Sequence, residues 1–240
     1  MKSLSIAFNL LTTLPVRAPD PWNPGDSGRA AVWYPFVGLI IGGIVAAAYT
    51  LLGLRFSSFV TAALSLTLWA ILTGGLHLDG LSDCCDGLLH ASNPERRLEI
   101  MKDSHIGAFG SIGLCLALIL KVSALASLPT GLAVPVILFA PSLGRWFIIL
   151  AGFQPLARPD GMGADFASGL QKTTLVWGGL IPLALAIYLG IQGIIALVIA
   201  SLGVMLILRF ARARIGGVTG DVFGLVVESV EILTLITFAS

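Results

Sequence analysis

Residues 58–87 read SFVTAALSLTLWAILTGGLHL followed by DGLSDCCDG, so a long apolar run leads directly into three carboxylates. An apolar run of about 20 residues is long enough to cross the hydrocarbon core of a bilayer as a helix. In a helix, the i, i+4, i+7 spacing of Asp79, Asp83 and Asp86 places their side chains on one face. The stretch therefore predicts a membrane-spanning helix with an acidic cluster at its end.

The composition of the whole chain is that of a membrane protein. Of the 240 residues, 56% are hydrophobic and 11% are charged, whereas soluble domains carry about 25% charged residues. The formal net charge is +1, so no basic surface indicates a nucleic-acid partner. We predict one integral membrane domain, residues 1–240, with the lipid bilayer as its surroundings.

The apolar runs predict an all-α, polytopic transmembrane helix bundle with about seven spans. The fifth and sixth runs are separated only by Gly190–Gly193, so they form either a tight hairpin or one kinked element, which would leave six spans. Residues 3–14 predict an N-terminal interfacial helix with Leu4, Phe8 and Leu11 on one side. The predicted spans are 31–54, 58–78, 108–128, 131–151, 174–191, 193–209 and 222–239.

The basic residues predict the orientation. With the N-terminus in the cytoplasm, eleven of the 14 Lys and Arg residues fall on the inner side and only Arg55 on the outer side, while Lys121 and Arg145 lie within spans. Such a bias follows the positive-inside rule. The long connections 79–107, 152–173 and 209–221 then all face the cytoplasm.

The acidic cluster is a candidate metal site. Carboxylate oxygens suit Mg²⁺ or Mn²⁺, and such ions can clamp the attacking and leaving oxygens of a phosphoryl transfer. Asp79, Asp83 and Asp86 are therefore candidate ligands. The alternative is a solvated acidic helix end.

The connection that follows the cluster carries basic residues. Arg96, Arg97 and Lys102 are candidates to neutralise substrate phosphates, and Asp103 is a candidate ligand or base. Pro94 would begin a helix that Asn93 caps. An amphipathic surface helix with exposed ion pairs explains the same pattern equally well.

Acids also occur in the last predicted span. Asp221 and Glu228 share a helix face at i, i+7, and Glu231 lies one turn further on. Carboxylates in an apolar helix usually face the bundle interior and have a partner, here a metal, Arg145 or a polar substrate group. The alternative is a purely structural ion pair.

A fourth candidate is the glycine-containing stretch 156–172. It carries Arg158, a further candidate phosphate contact, and is able to close over a ligand. The alternative is that it is only a connection.

The chain closely resembles the cobalamin synthase family, the adenosylcobinamide-GDP ribazoletransferases. The resemblance rests on HLDGLSDCCDGL (77–88) and ERRLEIMKDSHIG (95–107). It extends to FNLLTTLPV (8–16), ARPDGMGA (157–164) and GVTGDVFG (217–224), and so covers nearly the whole chain.

The family's activity implies Mg²⁺-dependent joining of adenosylcobinamide-GDP to α-ribazole or its 5′-phosphate. The products are GMP and either adenosylcobalamin or adenosylcobalamin 5′-phosphate. The resemblance also implies that the enzyme lies in the plasma (inner) membrane of a prokaryote. The resemblance implies metal ligation by Asp79, Asp83 and Asp86 and a role for Lys102 and Asp103. We expect Asp86 or Asp103 to take the proton from the attacking hydroxyl.

The family pattern differs from this chain at His105, where relatives often have Arg, so we do not expect His105 to bind phosphate. Two other functions were considered. A CDP-alcohol phosphotransferase also uses an Asp-rich membrane motif, but the second half of that motif is absent here. A small-ion transporter would use the charged residues within the spans, although the acids cluster at one face and no inverted repeat is visible.

Overall fold

The computed structural model describes residues 2–17 and 21–239, and helices make up most of that chain. A 3₁₀ turn, Ala31–Trp33, joins the second helix to the third. The all-α class predicted from the sequence is confirmed. In chain order the helices are α1 (Lys2–Leu11), α2 (Asp26–Ala30), α3 (Tyr34–Gly53), α4 (Ser58–Thr73), α5 (Leu76–Leu89), α6 (Pro94–Ile100), α7 (Ala108–Ala126), α8 (Ala133–Ala151), α9 (Met162–Gly169), α10 (Lys172–Tyr188), α11 (Gly190–Ile215) and α12 (Gly220–Phe238).

Four stretches of the described chain are long and apolar enough to cross a membrane: Asp26–Gly53, α7, α8 and α11. Two bent pairs, α4–α5 and α9–α10, meet the same criterion only when each pair is taken as one span, which gives six. The seventh expected span corresponds to α12, which carries three carboxylates and is not counted among them.

The expected span 58–78 is interrupted near its C-terminal end. Helix α4 stops at Thr73, and Gly74 and Gly75 follow with φ values of 61° and 69°, in the left-handed region that favours glycine. Helix α5 then leaves at 90° to α4. Its 14 residues reach about 21 Å, short of the ~30 Å apolar core of a bilayer. The acidic cluster therefore lies on a separate helix outside the four long spans.

The long connections predicted from the sequence contain most of the short helices. Helix α6 fills part of 79–107, with Pro94 in its first turn, and the Asn93 side chain accepts a 2.9 Å hydrogen bond from the Arg96 N–H, so the predicted cap is confirmed. Helix α9 fills part of 152–173. The third connection is much shorter than expected, because α11 continues to Ile215.

Helix α12 is central to the bundle. It packs against α5, α7, α8 and α11, while α8 packs against α3 and is the most buried of the spanning helices. Helix α1 forms as expected and packs on α2 and α3, but the residues that it buries are Ile6, Ala7 and Leu11. The N-terminal end of α12 therefore meets α5 inside the protein.

Candidate active site

Helices α5 and α12 cross in close contact at two glycines. A Cβ atom on Gly80 would lie 2.8 Å from the backbone oxygen of Asp221, and one on Gly224 would lie 2.9 Å from that of His77. Real Cβ atoms do not approach so closely, so the crossing depends on glycine at both positions. It brings the start of α12, with Asp221, beside the acidic face of α5.

Three carboxylates come together at this crossing: Asp79, Asp83 and Asp221. Within the described residues, the Asp79 and Asp83 side chains have no hydrogen-bonding or ion-pair partner. Asp221 accepts a 3.1 Å hydrogen bond from the Thr219 hydroxyl and lies 3.8 Å from the Arg158 guanidinium. The group thus carries more negative than positive charge.

The electrostatic effect of this arrangement is clearest at Asp83. Partial burial, followed by the negative charges of Asp79, Asp221 and Asp86, raises the pKa of Asp83 to about 7, against a smaller opposing effect of Arg158. A carboxylate in this position is stabilised in its ionised form by any added cation. The fold therefore brings Asp221 to the acids of α5, which the spacing within each helix did not determine.

Asp86 makes contacts that the spacing did not predict. Its two oxygens accept hydrogen bonds from the backbone N–H groups of Gly107 (2.7 Å) and Gly110 (2.9 Å), at the N-terminus of α7. A carboxylate there satisfies N–H groups without intrahelical partners and interacts favourably with the helix dipole. Asp86 thus ties α5 to α7.

Across residues 2–17 and 21–239, no group of three or more His, Cys, Asp or Glu side chains is placed to hold a metal ion. Mg²⁺, however, is usually held by one or two carboxylates, with water and substrate phosphate completing its shell. The unpaired carboxylates of Asp79 and Asp83 fit that arrangement, with Asp221 nearby.

A cavity of about 520 Å³ opens beside the acids. Asp79 and Asp221 form one part of its wall. The rest of the wall comes from α1, the 22–27 segment, Tyr34 of α3, α8, the start of α9 and further residues of α5 and α12, so it gathers the N-terminal region and the predicted cytoplasmic connections. A second cavity, of about 760 Å³, lies between α4, α5 and α7 and also includes Asp79. Asp79 is therefore accessible from two sides.

The basic residues of α6 lie in three different environments. Arg96 forms an exposed ion pair with Glu99 at 2.8 Å. The buried Arg97 donates to the carbonyls of His90 and Arg214, and so holds α6 against the ends of α5 and α11. Lys102 is exposed. No contact joins these residues to the acidic group.

Asp103 is also exposed and makes a local contact. Its carboxylate accepts a hydrogen bond from the His105 backbone N–H at 3.0 Å and lies 2.6 Å from the His105 Nδ1. These contacts with His105 lower the pKa of Asp103. Asp103 is therefore held by its own turn and not by α5.

Arg158 is the predicted phosphate contact that the fold brings to the acids. Its guanidinium donates to the Leu98 carbonyl at 3.0 Å and lies beside Asp221, in the wall of a small cavity of about 130 Å³. The segment that carries it pairs with the residues before α12 through the isolated bridge between Leu156 and Val218. The 156–172 stretch is thus fastened next to the acidic group.

Glu228 is separated from that group by a different set of partners. Lys121 lies 2.6 Å from Glu228 and also contacts Glu231, which pairs in turn with Arg145. All four side chains are buried. The expected contact between a carboxylate of this helix and Arg145 is present at Glu231, whereas Glu228 pairs with Lys121, a partner that was not anticipated. A single lysine within an apolar run, as Lys121 is, indicates a buried acidic partner, and this pattern could have predicted the contact with Glu228.

The sequence did not reveal how the cavity wall is assembled. Asp165 accepts hydrogen bonds from the Ser27 hydroxyl and from the Gly25 N–H, the latter at 2.6 Å, and so joins α9 to α2. Tyr34 and Phe166 stack with ring centroids 5.7 Å apart. These residues come from separate connections with no shared periodicity, so only the fold brings them together.

Comparison with known proteins gives a consistent result along the chain. The family described as Cobalamin-5-phosphate synthase matches residues 3–239. A protein named adenosylcobinamide-GDP ribazoletransferase from Desulfitobacterium hafniense is 42% identical over 243 residues, covering 98% of this chain and 96% of the relative. Proteins of the same name from Roseiflexus sp. and Pseudomonas aeruginosa are 37% and 41% identical, covering 96% and 100% of this chain.

No solved structure matches the chain. The family match nevertheless includes the segments that form the acidic crossing and its cavity, from α1 to α12. The chain therefore belongs to the cobalamin-5-phosphate synthase family, and the relatives to which it is similar are transferases of cobalamin synthesis.

Proposed function

We propose that the protein joins adenosylcobinamide-GDP to α-ribazole, or to α-ribazole 5′-phosphate, with release of GMP. The observation that carries the proposal is full-length similarity to proteins named adenosylcobinamide-GDP ribazoletransferase. The unpaired carboxylates beside a cavity support it, because a phosphorylated substrate needs cations and a cation needs such ligands. The CDP-alcohol phosphotransferase and transporter hypotheses gain no support from the comparisons.

The reaction is a substitution at phosphorus. A hydroxyl oxygen of the acceptor forms a bond to the phosphorus that carries the cobinamide arm. The bond from that phosphorus to the oxygen of GMP breaks, and GMP leaves with the electron pair. Asp83, with Asp221 beside it, would hold Mg²⁺, which would supply positive charge to the pyrophosphate as charge moves onto the leaving oxygen, and Asp79 would stay free of the ion.

The attacking hydroxyl must lose a proton, and the geometry favours Asp79 as the acceptor. Asp79 borders both cavities, and its carboxylate has no partner among the described residues. Asp86 is engaged by two backbone N–H groups, and Asp103 is held by His105. Arg158 is placed to meet a phosphate near Asp221. Arg96, Arg97 and Lys102 contribute positive charge at a greater distance.

The proposal includes the location of the site. The bias of basic residues places the N-terminus, α5 and the start of α12 at the cytoplasmic side of a prokaryotic plasma membrane. Water-soluble nucleotide substrates would then reach the cavity from the cytoplasm.

A single assay tests the function. Purified protein in detergent, supplied with Mg²⁺, adenosylcobinamide-GDP and α-ribazole, should release GMP in step with formation of adenosylcobalamin. Omission of Mg²⁺ should remove the signal, and Mn²⁺ should restore part of it. Absence of GMP from protein that is shown to be folded would overturn the proposal.

A further inference from the structure

The cavity of about 520 Å³ has two chemically distinct parts. Asp79 and Asp221 lie at one part of its wall. Much of the remaining lining is apolar, and aromatic rings from three helices meet there. Phe166 packs against Tyr34, at 5.7 Å and nearly parallel, and against Phe223, at 5.4 Å and edge-on. Each of the three rings is at most 7% exposed, and together they give the lining an apolar aromatic part against which a planar ring can pack.

The polar groups next to the aromatic rings are already engaged, whereas the buried Nε2 of His77, in the lining of the same cavity, has no partner among the described residues. The Tyr34 hydroxyl donates to the Ser27 carbonyl at 3.1 Å. Asp165 accepts hydrogen bonds from the Ser27 hydroxyl and the Gly25 N–H. An apolar bicyclic base can pack against these rings with little loss of hydration, whereas a guanine ring would need partners for several donors and acceptors that the rings do not supply.

The size of the cavity leads to the same conclusion. Pockets for small molecules measure about 300–1,000 Å³, and this one can enclose a nucleoside but not a corrin. A ribose attached to a base among the aromatic rings would extend towards Asp79 and Asp221. Its hydroxyl would then reach the acids, where the phosphorus of the donor must also lie.

We propose that this cavity is the acceptor subsite, with the apolar aromatic base of the α-ribazole nucleoside against Phe166 and Phe223 and its ribose directed to the acids. The inference rests on the proposed function and adds to it the location and selectivity of one substrate. The guanosine part of the donor binds elsewhere in this assignment.

The test compares two phenylalanines in the full-length protein. Phe166→Ala removes a ring from the cavity wall, whereas Phe109→Ala removes an exposed ring of α7 that is not part of it. For Phe166→Ala, we expect the Kd of α-ribazole alone, measured by calorimetry, and its KM to rise about tenfold, since stacking on an aromatic side chain contributes that much. The KM of adenosylcobinamide-GDP should change less than twofold, and Phe109→Ala should match the wild type.

A second measurement covers the case in which Phe166→Ala does not fold. With the wild-type protein, 5,6-dimethylbenzimidazole should compete with α-ribazole, and guanosine should not. Two results would overturn the assignment of the cavity: an unchanged KM for α-ribazole in folded Phe166→Ala, or competition between guanosine and α-ribazole. If the wild-type protein still releases GMP in that case, the proposed function stands. Failure of the wild type to release GMP would instead count against the function itself.

Discussion

The carboxylates of α5 differ in their surroundings although they share one helix face. Asp83 is partly buried among other acids, and its pKa is raised to about 7. Asp86, one turn away, is held by two backbone N–H groups of the α7 terminus. Two aspartates at regular spacing on one helix therefore differ in their surroundings, since Asp83 lies among other carboxylates and Asp86 accepts backbone hydrogen bonds.

The first prediction concerns Asp83. Asp83→Asn removes the negative charge from a site that requires it to hold a cation, so we expect kcat for GMP release to fall at least about 100-fold while the protein remains in the membrane. Glu99→Gln is the matched control, because Glu99 is exposed and pairs with Arg96 of its own helix. Near-normal turnover in Asp83→Asn would exclude Asp83 from the site.

The second prediction concerns Asp86. Asp86→Ala leaves the N–H groups of Gly107 and Gly110 without their acceptor, so we expect the free energy of unfolding to fall by about 1–2 kcal/mol. Thermal unfolding in detergent measures the change. If Asp86 acts mainly as a cap, Mg²⁺ should still activate the folded fraction with a similar concentration dependence. A large rise in the Mg²⁺ requirement without loss of stability would instead identify Asp86 as a ligand.

The buried ion network supports a third prediction. Glu231 is fully buried and pairs with both Lys121 and Arg145. Glu231→Gln leaves buried positive charge without compensation, which costs about 3–5 kcal/mol of unfolding free energy. Glu99→Gln breaks an exposed ion pair with Arg96 and should leave the unfolding temperature unchanged. Equal stability of the two variants would contradict this role of the network.

At the scale of elements, the crossing of α5 and α12 determines the site. Neither helix carries a complete set of groups, since α5 supplies Asp79 and Asp83 while α12 supplies Asp221. The separation of the two helices is limited by Gly80 and Gly224, where backbone meets backbone.

The fourth prediction follows from that contact. In Gly80→Ala, the new Cβ would lie 2.8 Å from the Asp221 oxygen, so the helices must separate and the acids with them. We expect kcat to fall at least about tenfold, because small displacements of reacting groups are costly. Gly43→Ala in α3 is the control: its nearest neighbour would be a side-chain atom at 3.8 Å. Equal activity of both variants would show that the crossing tolerates displacement.

At the scale of the whole molecule, the predicted orientation remains to be tested. We expect a cysteine at Glu99→Cys to react with a membrane-impermeant maleimide only from the cytoplasmic side, and one at Arg55→Cys only from the outer side. Both positions are exposed. Labelling of intact spheroplasts reports cysteines on the outer side, and labelling of inverted vesicles reports cysteines on the cytoplasmic side. The unsubstituted protein gives the background labelling of the native cysteines. The reverse pattern would overturn the orientation.

Local sequence was sufficient for several features. Apolar runs of bilayer length predicted the membrane-bundle class, and the Asn93–Pro94 pair predicted the start of α6. The i, i+4, i+7 spacing placed three acids on one face of α5. Each of these follows from interactions within a few residues, which any isolated segment already contains.

Only the tertiary structure decided which charges meet. It placed Asp221 beside Asp79 and Arg158 beside Asp221, it paired Glu228 with Lys121, and it turned α5 away from α4 at Gly74–Gly75. Every one of these contacts except the turn joins residues distant in the chain, and helix spacing carries no information about which faces of two helices will touch. The acidic stretch 79–87 by itself predicted a set of candidate metal ligands, whereas the packing of α12 and α7 against α5 decided which of these carboxylates have protein partners.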